Sequence, residues 1–355
     1  MKQSHRMTND DIALIDRSNY RHHLVEFPQQ VMDAMRIARN TRLNFDGGGI
    51  GNVVVTGLGG SAIAGDLLRS YLADRVRVPM FVNRDYRLPG FVQKQSLVIV
   101  SSYSGDTEET LAAYREAVKR KSRIICISSG GELTSLARRH RNSLIAVPRG
   151  LPPRAALGYL FFPVLSAVTK LRLATENRPG WRETTHLLGV LAKRFGNADA
   201  RRNLAAELAY RLKGKLPIIY SSTERFDSVN LRWRGQLAEN AKVLAFGNVV
   251  PEMNHNELVG WRVLKDLMKN MTVVILRDAS DHRRVQKRMD IMKSIVGEFS
   301  GDVLEVRSEG RSLLARMFSL IHLGDWVSFY LAILNGVDPT PVKVIDYLKT
   351  QLAKV

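Results

Sequence analysis

Cysteine is almost missing from this chain: 355 residues contain one, Cys126, inside the apolar run Ile124-Ile125-Cys126-Ile127. A single thiol excludes a disulfide framework and a thiolate metal site, and it suits a reducing compartment. Acidic residues are also scarce, with 34 Asp and Glu against 53 Lys and Arg, for a formal net charge of +19. Long apolar runs are lacking as well. The longest, Ala155 to Thr169, contains Pro163 and falls short of a membrane span. Met1 to Asp11 is polar, without the apolar centre of a signal peptide. These absences lead to the expectation of a soluble, cytoplasmic protein without a membrane partner. With 45% hydrophobic and 25% charged residues the chain is globular, and long enough for two domains.

The positive balance raises the question of nucleic acid. The cations are densest at Arg138–Arg141, Lys193–Arg202 and His282–Arg288. None of these runs interleaves aromatics, and no helix-turn-helix, zinc-finger or RNP pattern is present. They read as solvated helix faces, so no nucleic-acid partner is expected. A positive field can still steer an anionic substrate to a cleft.

Strand-like runs at Asn52–Thr56, Val78–Val82, Leu97–Ser101, Ile124–Ser128 and Leu144–Val147 alternate with helical patterns at Ala62–Leu72, Glu108–Lys119 and Glu132–Arg138. Such alternation predicts a parallel sheet covered on both faces. A long apolar helix over Ala155–Leu173 follows, then a composition break at Glu176-Asn177-Arg178-Pro179-Gly180. The second half repeats the theme, with strands at Leu216–Ser222, Val243–Phe246, Thr272–Leu276 and Val303–Val306. The expected architecture is α/β, two tandem flavodoxin-like units. A mostly helical lead-in covers 1–50, the first unit 51–178 and the second 179–355.

Hydroxyl groups are massed in Ser101-Ser102-Tyr103-Ser104-Gly105-Asp106-Thr107-Glu108, between a buried strand and a helix. Strand C-termini are where open α/β sheets bind ligands, and helix N-termini favour anions. One helix cap needs one hydroxyl; here Ser102, Ser104 and Thr107 converge, which points to a phosphate cradle. The earlier turn Gly57-Leu58-Gly59-Gly60-Ser61-Ala62 has the same grammar. It also fits a dinucleotide fingerprint, but that reading needs an acidic residue about 20 positions on. Asp85 comes late and is flanked by Arg84. A sugar phosphate held between the two turns uses both.

Glu239 ends a helical stretch, where a carboxylate is disfavoured by the helix dipole and suited to taking up a proton. The alternative is surface pairing with Lys242 or Arg234. His255, in Asn254-His255-Asn256-Glu257, is the best acid/base candidate among eight histidines. His186 and His322 read as structural, the others as surface. No spacing of His or Cys indicates a metal, and no cofactor is expected. Arg154, after Pro152-Pro153, either meets an anion or carboxylate or reaches into solvent.

Gly59-Gly60-Ser61, Ser102 to Thr110, Pro153-Arg154, Glu239-Asn240, Asn254 to Glu257 and Asp338-Pro339-Thr340-Pro341 together resemble the bifunctional phosphoglucose/phosphomannose isomerases of the SIS (sugar isomerase) superfamily. The resemblance runs from about residue 15 to the C-terminus, in consistent motif order. It implies a homodimer acting on hexose 6-phosphates by metal-independent proton transfer. Gly60, Ser61, Ser102, Ser104 and Thr107 would hold the phosphate. Glu239 would be the base and Arg154 would support the enediolate. His255, donated across the interface, would open the sugar ring, assisted by Lys349 or, in competition, Lys343. Asp106 stands where Asn is commonest in the family and would add negative charge near the phosphate. A non-catalytic SIS sensor would share the serine cluster but need neither Glu239 nor His255.

Overall fold

The computed structural model describes residues 7–175, 177–198, 203–352 and 354. The chain opens with α1 (Asn9–Ile15), α2 (Tyr20–Val25) and α3 (Phe27–Asn40). Thr8 and Asp11 form a reciprocal capping box at the start of α1, and Pro28 occupies the first turn of α3, where its missing N–H costs nothing.

The first sheet alternates β1 (Asn52–Thr56), α4 (Gly60–Leu72), β2 (Met80–Asn83), β3 (Ser96–Ser101), α5 (Glu108–Lys119), β4 (Arg123–Ser128), α6 (Gly131–Arg139) and β5 (Ser143–Ala146). All pairings are parallel, in the order β2-β1-β3-β4-β5. The continuous apolar runs Val53-Val54-Val55 and Leu97–Val100 are buried, as strands covered on both faces require. The expected helix at 155–173 is shorter: Pro153–Ala155 forms a 3-10 turn, and α7 spans Leu157–Lys170.

After α8 (Arg178–Phe195) and α9 (Leu204–Leu212), the second sheet contains β6 (Leu216–Ser222), α10 (Asp227–Glu239), β7 (Phe246–Val250), α11 (Glu257–Gly260), α12 (Lys265–Met268), β8 (Met271–Arg277), α13 (Arg283–Gly297) and β9 (Asp302–Arg307). Then come α14 (Leu313–Leu334) and α15 (Lys343–Leu352). The order β7-β6-β8-β9 repeats the first four positions of the first sheet, so β6 corresponds to β1 and α10 to α4. The strand expected at Val243–Phe246 instead runs from Phe246 to Val250. Positive φ at Lys242 turns the chain after α10 and delays strand entry.

The 22-residue α14 is the feature the sequence reading missed. It is long and apolar enough to cross a membrane by length and composition, yet its apolar window is 94% buried inside the protein. With α7 it fills one continuous core that includes Val53 and Ile99 of the first sheet and Ile219 and Val274 of the second.

Within α14, fully buried His322 accepts through Nε2 from Trp326 Nε1 at 3.1 Å. Burial pushes its pKa from 6.5 down to about 3. The unfolded chain therefore binds one more proton than the native state between those values. The stabilisation from a neutral His322 is complete above pH about 6.5 and is lost as pH falls toward 3, with a slope up to about 1.4 kcal/mol per pH unit. Urea unfolding of His322→Gln, which keeps an acceptor without a basic ring, should show a shallower loss between pH 7 and 4. Parallel profiles for variant and native protein would contradict a buried neutral imidazole.

Candidate active site

The first sheet changes direction between β1 and β3, and the two turns singled out in the sequence lie at that switch point. Register pairs Thr56 with Val100, which brings the glycine turn level with the hydroxyl turn. Their link is direct: Ser61 Oγ accepts from the Tyr103 backbone N–H at 3.3 Å. Ser102 and Thr107 hydroxyls lie 3.0 Å apart, and Ser102 Oγ accepts from Gly105 N–H at 3.1 Å. The exposed Ser104 hydroxyl accepts from Asp106 N–H at 3.3 Å.

Neither helix that opens here has a side-chain cap. Thr107 precedes α5 and Gly59 precedes α4 without a capping hydrogen bond. In α4 the Ser61 and Ala62 N–H groups donate to the Leu58 carbonyl at 3.0 and 3.4 Å, so the first-turn N–H groups of α5, together with the hydroxyls, are what suits this corner to an anion. Asp106 does not burden it. The Asp106 carboxylate turns to α6 and accepts from Glu132 N–H at 2.8 Å, at a helix N-terminus that offsets its charge.

The corresponding crevice of the second sheet is chemically different. Ser222 donates to Asp281, Ser280 and Ser308 donate to Asp278, and Arg316 pairs with Asp278. Its hydroxyls are thus engaged by two carboxylates, which would repel phosphate. Among the described residues, the first switch point gathers hydroxyls free of carboxylate partners, whereas the second holds a self-neutralised polar cluster.

A cavity of about 180 Å³ opens beside the anion corner. Gly59, Gly60 and Ile63 at the start of α4 form one wall; Leu231, Arg232, Gly235, Gln236 and Glu239 of α10 form the opposite one. Arg84 and Arg154 complete the lining. The two corresponding helices pack on each other, pinned at their far ends by Asp227, which accepts from Arg69 at 2.6 Å and Ser70 at 2.8 Å. Residues 231, 235 and 239 fall one helical turn apart, which places them on one face.

Arg154 is 4% exposed. Its Nε donates to Asn240 Oδ1 at 2.6 Å, and its Nη2 donates to the carbonyls of Pro339 and Thr340 at 2.7 and 2.8 Å. The guanidinium also lies 5.4 Å from the centre of the Tyr20 ring. Nη1 is left facing the Glu239 carboxylate at 3.6 Å. Asn240 is held in turn, donating to Ser328 at 2.9 Å and Tyr20 at 3.2 Å. The Asp-Pro-Thr-Pro motif therefore acts through backbone carbonyls that orient Arg154. Neither surface pairing weighed for Glu239 forms: Lys242 donates to its backbone carbonyl, and Arg234 donates to Asn230.

Comparisons with known proteins identify the family. The bacterial phospho-glucose isomerase C-terminal SIS domain family matches residues 201–352, and the SIS domain family matches residues 50–149. A bifunctional phosphoglucose/phosphomannose isomerase from Caldicellulosiruptor bescii is 45% identical over 92% of this chain and 97% of its own length. Another with that name, from Aquifex aeolicus, is 37% identical over 85% of this chain and 90% of its own. The chain belongs to the bifunctional phosphoglucose/phosphomannose isomerase family. The fold is shared more widely: the C-terminal domain of a glucosamine-fructose-6-phosphate aminotransferase from Francisella tularensis superposes with a TM-score of 0.67 at 17% identity, covering 90% of this chain and 97% of that one.

For a member of this isomerase family, the structure brings together Gly60, Arg154 and Glu239 around the cavity, with Ser61, Ser102 and Thr107 adjoining it. His255 is not in the lining. It is exposed at the end of a 3-10 turn, Glu252–His255. Lys349 and Lys343 lie on α15, which buries none of its residues, and neither lines the cavity. His186, expected to be structural, is exposed on α8. Sequence reasoning missed Arg232 and Gln236, although their spacing to Glu239 on one helix was the available signal. It also missed Arg84, seen only as the neighbour of Asp85.

Two glycines of the lining differ in what they tolerate. A Cβ on Gly60 would stand 2.6 Å from the Pro153 carbonyl oxygen, whereas one on Gly235 would meet nothing within 4 Å. Gly60→Ala should cost about 1–3 kcal/mol through displacement of the Arg154 turn. Gly235→Ala should stabilise α10 by about 0.5–1 kcal/mol. Denaturant melts of the two variants check this; equal shifts would contradict the close approach of α4 to the Pro153 turn.

Proposed function

We propose that this protein is an enzyme that interconverts glucose 6-phosphate and mannose 6-phosphate with fructose 6-phosphate by metal-independent proton transfer. The observation that carries the reading is the Glu239 carboxylate 3.6 Å from a pinned Arg154, in a cavity that starts at the uncapped end of α4. Gly60, Ser61, Ser102, Ser104 and Thr107 hold the phosphate, whose binding remote from the reacting carbons fixes the sugar in place. Glu239 carries a proton between C1 and C2. When it becomes neutral, Arg154 loses its counter-charge just as negative charge develops on the enediolate oxygen, so the guanidinium stabilises that charge most when it is needed. Reprotonation of C2 from either face yields glucose or mannose 6-phosphate. These roles are built into one continuous chain, which we divide at 51 and 179 into a helical lead-in and two SIS units, and which we assign to the cytoplasm.

We further assign a homodimer in which His255 reaches the partner's site and opens the sugar ring, with Lys349, or Lys343, assisting from α15. His255 lies outside its own cavity, and nearby segments expose Leu244, Phe246, Val259, Val263 and Leu264. α15 likewise exposes Val344, Tyr347 and Leu348. Apolar groups gathered in this way call for a covering surface. A non-catalytic sensor would have no use for a carboxylate poised against a buried arginine.

Glu239→Gln should lower kcat by about 10²–10⁴-fold in a coupled hexose 6-phosphate assay. Mixed and re-equilibrated with His255→Ala, it should recover about a quarter of native turnover, because half the dimers then carry one intact shared site. Near-native turnover of Glu239→Gln would remove it as the base, and no recovery would place His255 in its own subunit's site. The double change Ser102→Ala and Thr107→Ala should raise KM at least tenfold, since hydrogen bonds to a charged group contribute about 1.5–3 kcal/mol each. An unchanged KM would dispose of the phosphate corner.

A further inference from the structure

Arg232 occupies the α10 wall of the cavity two turns before Glu239, and it is 4% exposed. Its guanidinium is gripped from behind by Asp325 of α14, with Nε to Oδ1 at 3.1 Å and Nη2 to Oδ2 at 2.7 Å. Nη2 also donates to the Arg154 backbone carbonyl at 3.1 Å. Asp325 is itself buried and accepts a further hydrogen bond from Gln236 Nε2 at 2.9 Å. Nη1 of Arg232 makes no hydrogen bond among the described residues, although the residue lines the cavity. A buried ion pair gains little over well-packed apolar side chains of the same volume. What this pair supplies is a planar donor fixed at the cavity wall, with its charge already balanced.

We propose that Arg232 is a further substrate-binding residue, donating from Nη1 to oxygens of the sugar chain, and that Asp325 is its positioning residue. This deepens the isomerase reading and rests on it. The two arginines then divide the work. Arg154 is balanced by Glu239, whose charge changes during the reaction, so Arg154 acts on the transition state. Arg232 is balanced by Asp325, whose charge stays constant through the cycle, so its hydrogen bonds are the same in the ground state and the transition state. Such uniform binding appears in KM, not in kcat.

The test is Arg232→Lys in the full-length enzyme, which keeps a cation beside Asp325 but loses the fork that presents Nη1. The expected result is a KM for fructose 6-phosphate raised about ten- to hundredfold with kcat within about threefold of native. The inhibition constant of glucitol 6-phosphate should rise in parallel, while that of inorganic phosphate stays unchanged. Asp325→Asn, which keeps shape but loosens the fork, should move the same constants in the same direction by less. If Arg232→Lys fails to fold, the double variant Arg232→Gln with Asp325→Asn removes both charges, and its glucitol 6-phosphate affinity gives the same reading. Equal weakening of glucitol 6-phosphate and inorganic phosphate, or no weakening of either, would overturn the assignment. Because inhibitor binding needs no proton transfer, failure of Glu239 as the base would leave this result interpretable.

Discussion

One buried cation ties the molecule together. Arg154 leaves the end of the first unit and receives the Tyr20 ring from the lead-in, Asn240 from just past α10, and two carbonyls from the segment between α14 and α15. A guanidinium out of water needs its donors satisfied, or its desolvation cost goes uncompensated. Four stretches far apart in sequence must therefore converge before the charge is tolerable. That convergence closes the cavity and leaves one guanidinium nitrogen opposite Glu239.

The duplicated architecture places different chemistry at its two corresponding crevices. In both sheets the crevice lies beyond the strand ends at the change of direction. The first unit furnishes it with glycines, hydroxyls and uncapped helix starts. The second has Asp278 and Asp281 there, already saturated by serine hydroxyls and Arg316. The packing of α4 against α10 sets an anion-attracting helix start beside the end of a helix that carries a carboxylate. On the proposed reading, phosphate recognition and proton transfer come from corresponding elements with opposite electrostatic ends.

Much of this was legible in the sequence because strand and helix periodicities were strong in the first half, where α5 begins and ends at the expected residues. The convergence of the Ser102 and Thr107 hydroxyls was legible because hydroxyls exceeded what a cap requires. β7 was misplaced because Val243-Leu244-Ala245 has strand composition but follows a left-handed turn at Lys242. α14 was overlooked because a helix apolar on all sides has no amphipathic period to detect, and its buried His322 and Asp325 interrupt any purely apolar run. The helical spacing of Arg232 to Glu239 was a signal, but its partner Asp325 lies 93 residues away, and only the folded chain joins them.

The central claim is that this site moves a proton, with Glu239 as its carrier, between C1 and C2 of a bound hexose phosphate. The most direct measurement is NMR of fructose 6-phosphate turned over in D2O by the native enzyme in the presence of EDTA. The account predicts deuterium at C2 of both the glucose 6-phosphate and the mannose 6-phosphate formed, because a carboxyl proton exchanges with solvent during the enediolate's lifetime. Products that still hold only protium at C2 after many reversals of the reaction, when even slow exchange of the carboxyl proton would have accumulated deuterium, would indicate direct hydride transfer and contradict it.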